Sequence, residues 1–505
     1  MAHWLARRRA LAATIGTGSL EIVRDGLRAG DLSSEALVRI CLDNIEQLDP
    51  CLNAILSTDP EKSLKLARAA DLRLRQGERG AMLGIPFVLK DNFHWTGLPV
   101  SNGSRIAKGY IAPYDATVVK RLLEAGAVPI AKANMDEFAM GSSGEYSAFG
   151  PSRNPWDTSR VPGGSSSGSI VSVAAGYAPF ALGSDTGGSV RLPAGFCNVT
   201  ALRPTYGALS RYGVTAMASS LDQPGPVARS AVGVAAGFSV MAGRDPLDST
   251  SVDLPHASRL GDLKPAPLKG LRVGVPKEYF GEGLDPTVRS IVEAALLALE
   301  QEGASVVEVS LPHTSYAIDT YYLICTSEVS SNMSRFDGVR YGARKPSDSL
   351  GGMVAGTREL GFGPEVKRRI LLGAFCLSKG YYDAFYLKAL KARTLITKDF
   401  TDAFGQVDII ATPVSPGVAF PIGDKTLDPM AMYLADAYTV TTPLAALPCL
   451  SMPGGFSNGL PVGVQLIGPS LSDVRLLETA HAFQQITNHH LQPPPVLNQG
   501  ANHGI

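Results

Sequence analysis

Serine and lysine are the residues whose types and spacing could do chemistry in this chain. Between Val161 and Gly207, glycine and serine cluster twice, as Gly163-Gly164-Ser165-Ser166-Ser167-Gly168-Ser169 and as Asp185-Thr186-Gly187-Gly188-Ser189. A lone run of this composition reads as a flexible linker or a tight turn. Here the two clusters frame the apolar Ala178-Pro179-Phe180-Ala181-Leu182-Gly183, which needs a core to pack into, so both are expected as ordered turns. A serine in such a turn becomes a nucleophile only when a neighbouring base takes its proton.

Histidine is not the obvious base. Gly164 to Gly168 formally matches a G-x-S-x-G nucleophile elbow, yet an elbow needs a buried strand just before it, and Asn154 to Pro162 is polar and broken by proline. Of eight histidines, His3, His489, His490 and His503 lie near the termini, and His94, His256, His313 and His481 have no recognisable catalytic setting. A lysine can replace histidine if burial keeps it neutral near pH 7. Lys90 ends the apolar run Ile85–Leu89, and Lys132 ends Val128–Ala131; local physics does not choose between them.

The whole stretch from Gly163 to Ser189, with two serines 24 positions apart and an upstream lysine, resembles the amidase signature family. The resemblance implies Lys90 as the base, Ser165 as a proton relay and Ser189 as the nucleophile. It also implies an oxyanion hole from the amides of Thr186, Gly187, Gly188 and Ser189, where residues without a Cβ let the main chain approach a carbonyl oxygen. Asn198 and Ala201 stand where the family usually has glycine, and Arg203 where it has lysine, departures that bear on local packing.

In the second half, Ser330–Gly342 and Val366–Gly373, together with Ser219-Ser220-Leu221-Asp222-Gln223, resemble the glutaminase subunits of tRNA-dependent amidotransferases within that family. That resemblance implies glutamine as substrate, its α-carboxylate on Arg369, its α-ammonium on Asp436, and Tyr321 or Tyr322 alongside. An amino-acid substrate needs one cation and one anion, and a guanidinium can grip a carboxylate bidentately. The chain has no GxxxxGK[ST] phosphate loop, so ATP and Mg are expected on a partner B subunit, which would also carry the charged tRNA, with a small C subunit bridging the two. The rival readings are a free-standing amidase for aryl, aliphatic or carbamoyl amides and a non-catalytic binding subunit; all three triad residues are present, which speaks against the second.

The elements that must position these residues read as α/β. Apolar strand-like runs alternate with amphipathic helical stretches, the pattern of a mixed, mostly buried β-sheet covered by helices on both faces. Strands are expected at Ile85–Leu89, Ala127–Ala131, Phe180–Gly183, Leu271–Val275, Ser305–Leu311, Asp408–Thr412 and Val462–Ile467. A helix is expected from Pro286 to about Glu302, capped by Asp285, with Val288, Ile291, Val292, Ala295, Leu296 and Leu299 forming one stripe. Another starts near Ser33–Ser34 and ends at Asp49-Pro50. We divide the chain into an amino-terminal extension (1–20), an amidase domain (21–490) and a tail (491–505) whose prolines Pro493 to Pro495 should lie loosely on the surface. Within the domain, a catalytic core spans about 80–255 and a substrate-reading half about 268–490, divided near Pro255 to Pro267.

Composition bounds the rest. At 505 residues, 45% hydrophobic and 18% charged, the chain can bury a large core. Its 46 basic and 46 acidic residues predict no broad phosphate-binding surface, so direct tRNA contact is not expected. The six cysteines show no CxxC spacing and read as reduced core thiols; no His-x-x-His or HExxH suggests a metal, and no apolar run is long enough for a membrane span. Arg7, Arg8 and Arg9, with no acid before Glu21, leave a mitochondrial or plastid transit peptide as the alternative to a bacterial cytoplasmic protein.

Overall fold

The computed structural model describes residues 19–499, so most of the expected amino-terminal extension and the last part of the tail lie outside the described residues. Eleven strands form one sheet: β1 Ile55–Thr58, β2 Pro86–Lys90, β3 Val128–Ala133, β4 Phe180–Asp185, β5 Thr200–Arg203, β6 Gln223–Ala228, β7 Arg272–Pro276, β8 Ser305–Val309, β9 Ile409–Pro413, β10 Cys449–Ser457 and β11 Leu460–Ile467. Their order is β1-β3-β2-β4-β6-β5-β10-β11-β9-β7-β8. The sheet is mixed: β3, β2 and β4 run parallel, as do β9, β7 and β8, and antiparallel pairs link the two groups. The centre joins distant parts of the chain, because β5 pairs with β10 through Cys449 opposite Arg203, Leu450 opposite Leu202 and Ser451 opposite Ala201.

Every residue of β2 to β6, β9 and β11 is buried. Because successive side chains point to opposite faces, a strand buried throughout must be covered on both sides. The expected α/β architecture is therefore the observed one, and the seven expected strands all appear, with ends shifted by up to two residues.

Helices follow their local signals, with two differences. Pro286–Gln301 starts at Asp285, whose carboxylate accepts from the amides of Thr287 at 2.7 Å and Val288 at 3.3 Å, and its stripe is buried except for the half-buried Ile291. The helix beginning at Ser34 does not stop at Asp49-Pro50 but continues to Leu52. Its last turn survives because Asn53 closes it in the left-handed region, donating to the Asp49 carbonyl at 2.8 Å, while the Asp49 carboxylate accepts from Ala54 at 2.8 Å. The second difference is the tail: Pro494 and Val496 are buried, Val496 within the apolar core, and Asn198 Nδ2 donates to the carbonyl of Gln492 at 3.5 Å, so the start of the tail is held against the body.

Cys51 also departs from expectation, being exposed while the other five unpaired cysteines are buried. Among the described residues no helix is long and apolar enough to cross a membrane, and no cluster of three or more His, Cys, Asp or Glu could hold a metal ion.

Candidate active site

The parallel pairing of β2 with β4, Leu89 opposite Leu182, brings the carboxyl ends of both strands to the same edge. Lys90 is the last residue of β2, and Thr186 to Ser189 turn directly out of β4. The first serine cluster opens a fully buried helix, Ser167–Ala174, that packs on β4 and β2, which its run of small residues permits. No strand precedes that cluster, so the nucleophile-elbow geometry is absent. The two turns are stitched together by the Ser166 amide, which donates to the Ser189 carbonyl at 3.1 Å.

Lys90 is fully buried, and its Nζ lies 2.8 Å from Ser165 Oγ, 3.0 Å from Ser166 Oγ and 3.0 Å from Ser184 Oγ. Burial pushes its pKa down to about 7, against the opposite pull of Asp136, Asp185 and Asp222. The hydroxyl hydrogen of Ser166 is committed to the Ser184 carbonyl at 2.9 Å, so Ser166 can only accept from the amine. Among the described residues Ser165 Oγ has no other side-chain partner, which leaves its hydroxyl free to donate to the lone pair of a neutral Lys90.

Lys132, the competing lysine, is equally buried but faces away from the serines. Its Nζ is bonded to the carbonyl of Phe93 and lies 3.6 Å from the Asp91 carboxylate; burial lowers its pKa to about 8 while Asp91 opposes the fall. It braces the turn after β2. Asn92, in that turn, donates to Ser184 Oγ at 3.0 Å and so steadies one of the partners of Lys90.

Ser189 is 7% exposed, and its hydroxyl makes no hydrogen bond to a described residue, so Lys90 and Ser165 are joined while the link from Ser165 to Ser189 is not made in this structure. The amides of Gly187, Gly188 and Ser189 donate to no acceptor among the described residues. A row of unused donors beside a hydroxyl is what an oxyanion site requires. Glycine is needed at Gly188, where φ is +147° and a Cβ would stand 2.3 Å from Thr439 Oγ1, and a Cβ at Gly187 would stand 2.5 Å from Tyr321 Oη. Thr186 anchors the turn by donating to Asp222 Oδ1 at 2.7 Å.

Behind the turn, Asp185 is gripped by Arg191 at 3.0 Å and Arg203 at 3.3 Å; although burial disfavours its charge, the two guanidiniums hold its pKa down at about 2. Arg203, one of the departures that bear on local packing, is thus part of a buried ion cluster. Asn198 closes helix Arg191–Cys197 with φ 61°, a left-handed position that asparagine tolerates, and Ala201 lies buried in β5.

A second polar group borders the same turn. Asp436 accepts from Ser142 Oγ at 2.7 Å and from Tyr322 Oη at 3.1 Å, and burial raises its pKa to about 6. Arg369 stands over the rings of Tyr322 and Tyr433, 5.2 and 5.4 Å from their centroids, and its Nε donates to Glu365 at 2.7 Å; its two terminal nitrogens have no hydrogen-bond partner among the described residues. Of the tyrosines, Tyr322 is the one between Arg369 and Asp436, whereas Tyr321 packs on Gly187. Sequence reasoning missed Ser142, Ser166, Ser184, Tyr433 and Glu365. Only Glu365 had a clear signal, an acid four residues before Arg369 on a helix.

The Amidase family profile matches residues 36–477. The A subunit of glutamyl-tRNA(Gln) amidotransferase from Moorella thermoacetica is 53% identical over 471 residues, covering 93% of this chain and 96% of the relative. The solved A subunit of the same enzyme from Thermotoga maritima is 40% identical with a TM-score of 0.76, covering 91% of this chain and 94% of that one. The native peptide amidase from Stenotrophomonas maltophilia is 32% identical with a TM-score of 0.80, covering 94% and 98%. With likeness running nearly end to end in both sequence and fold, the chain belongs to the amidase family.

Proposed function

We propose that this chain is the glutamine-hydrolysing subunit of a tRNA-dependent amidotransferase. The observation that carries the reading is the buried pairing of Arg369 and Asp436 across Tyr322, next to the turn of Ser189. It offers one cation and one anion to a substrate that bears both an α-carboxylate and an α-ammonium. Likeness to relatives named as that subunit supports it.

In this mechanism neutral Lys90 takes the proton of Ser165 as Ser165 takes that of Ser189, and Ser189 Oγ adds to the side-chain amide carbon of glutamine. The amides of Thr186, Gly187, Gly188 and Ser189 receive the oxyanion. Collapse of the adduct breaks the C–N bond, and the proton held by Lys90 returns through Ser165 to the departing ammonia. The γ-glutamyl ester on Ser189 is then cleaved by water activated along the same wire. ATP-dependent activation of the misacylated tRNA belongs to a partner B subunit joined through a small C subunit, in the bacterial cytoplasm.

The test is ammonia release from glutamine by the full chain, alone and with B and C partners, together with mass spectrometry of the trapped ester. Ser189→Ala is expected to keep the melting profile and lose both ester and turnover. Turnover that survives in Ser189→Ala refutes the nucleophile. A wild-type preference for a neutral aryl or aliphatic amide over glutamine, with partners present, refutes the glutaminase reading.

A further inference from the structure

Asp136 to Ala139 form a short strap after β3 that the chemistry above does not use. Phe138 and Ala139 have φ of 49° and 62°, a left-handed pair that residues with side chains adopt only where their surroundings enforce it. Both flanks are pinned. On one side the Asp136 amide donates to the Ser165 carbonyl at 3.2 Å, and its carboxylate accepts from the amides of Gly144 at 3.0 Å and Tyr146 at 2.9 Å. On the other, the buried ring of Phe138 stands edge-on to Phe336 and Phe362, with centroids 4.6 and 5.7 Å away.

Between these anchors lies Glu137, only 3% exposed. Its Oε2 accepts from the Gly363 amide at 2.8 Å, and its Oε1 accepts from Ser104 Oγ. Gly363 is the N-cap of helix Pro364–Cys376, and a carboxylate from a distant segment takes its amide, the bond that the acid of a capping box makes, where the helix dipole favours negative charge. Arg369 sits on this helix.

We infer that Glu137 is a positioning residue for substrate recognition: from the strap bonded to the Ser165 backbone, it holds the amino end of helix Pro364–Cys376 and so sets where the Arg369 guanidinium stands relative to the reacting serines. This rests on the glutamine reading above. A carboxylate that only stabilised the fold would need no tie to the catalytic turn one residue away.

The experiment measures glutamine KM and kcat for the full chain with its B and C partners. Glu137→Ala is expected to raise KM about tenfold or more with kcat within about threefold, and Glu137→Gln to restore KM, since its oxygen can accept from Gly363 while its nitrogen donates to Ser104. Should Glu137→Ala not fold, Gly363→Ala tests the same link, because its Cβ would stand 2.4 Å from Glu137 Oε2 and displace the carboxylate. In an Arg369→Ala background the Glu137 effect on KM should shrink to within about threefold, the coupling expected of residues acting through one another. An unchanged KM in a folded Glu137→Ala or Gly363→Ala enzyme, or full additivity with Arg369→Ala, overturns the inference and leaves the glutaminase reading intact. If Arg369→Ala itself leaves KM unchanged, both fall.

Discussion

Replacing Lys90 by methionine should abolish turnover and yet leave the protein at least as stable at pH 7. Burial lowers this lysine from the ordinary 10.5 to about 7. At about 1.4 kcal/mol per pH unit, holding it neutral costs about 5 kcal/mol at pH 7. Methionine removes that cost and forfeits the contacts to Ser165, Ser166 and Ser184, about 1 kcal/mol each, so the variant should gain about 2 kcal/mol. The sign with pH follows from proton counting. Between pH 7 and 10.5 the unfolded lysine binds a proton that the folded one does not, so wild-type stability rises with pH and is lost as pH falls towards 7. The variant lacks this group, and its advantage should shrink by about 1.4 kcal/mol per pH unit and reverse at about pH 8.5. Urea melts of both proteins from pH 6.5 to 9.5 measure the difference directly. A stability difference constant over that range would mean that Lys90 is charged in the folded enzyme and cannot accept the Ser165 proton.

Gly188→Ala should lower kcat by about 10²–10³ with little change in KM, because its Cβ would collide with Thr439 and turn the amides away from the oxyanion; steady-state kinetics on glutamine with unchanged kcat would exclude the turn as an oxyanion site. Asp185→Asn should destabilise the fold by about 3–5 kcal/mol, since it leaves Arg191 and Arg203 buried without their counter-charge; a denaturation midpoint at the wild-type value would refute this. Glutamine binding to Ser189→Ala, measured by calorimetry, should weaken about tenfold per pH unit below about 6 as Asp436 takes up a proton, and Asp436→Asn should flatten that profile; a pH-independent affinity in Ser189→Ala would remove Asp436 from ammonium binding.

Legibility in the sequence followed the kind of signal each element carries. Strands whose core is an unbroken run, such as Phe180–Gly183 within β4, were readable, whereas β6 and β10 were hidden by the residues that punctuate chains. β6 holds Pro224 and Pro226 although it is central to the sheet; β5 reaches only Val227 and Ala228, so beside the prolines one flank needs no ladder hydrogen bond. β10 contains Pro453-Gly454-Gly455, which reads as a turn and is a register shift within a paired strand. At the site, Lys90 and Lys132 were alike in local sequence, and only the third dimension separates one facing Ser165 from one facing the Phe93 carbonyl. Ser142 meets Asp436 across 294 positions, a distance at which no spacing rule operates.

The pairing of β5 with β10 also dictates an order of events during synthesis. Arg203 is made about 250 residues before Cys449, its partner at the centre of the sheet, a delay of roughly 10–50 s at ordinary elongation rates. Throughout that interval β1 to β6 can assemble, but the flank of β5 presents unpaired backbone groups and apolar side chains to other chains. The nascent protein is thus most prone to aggregate just before β10 emerges. Chains truncated ahead of β10 should depend on chaperones or fail to accumulate, although Lys90, Ser165 and Ser189 are all present in them.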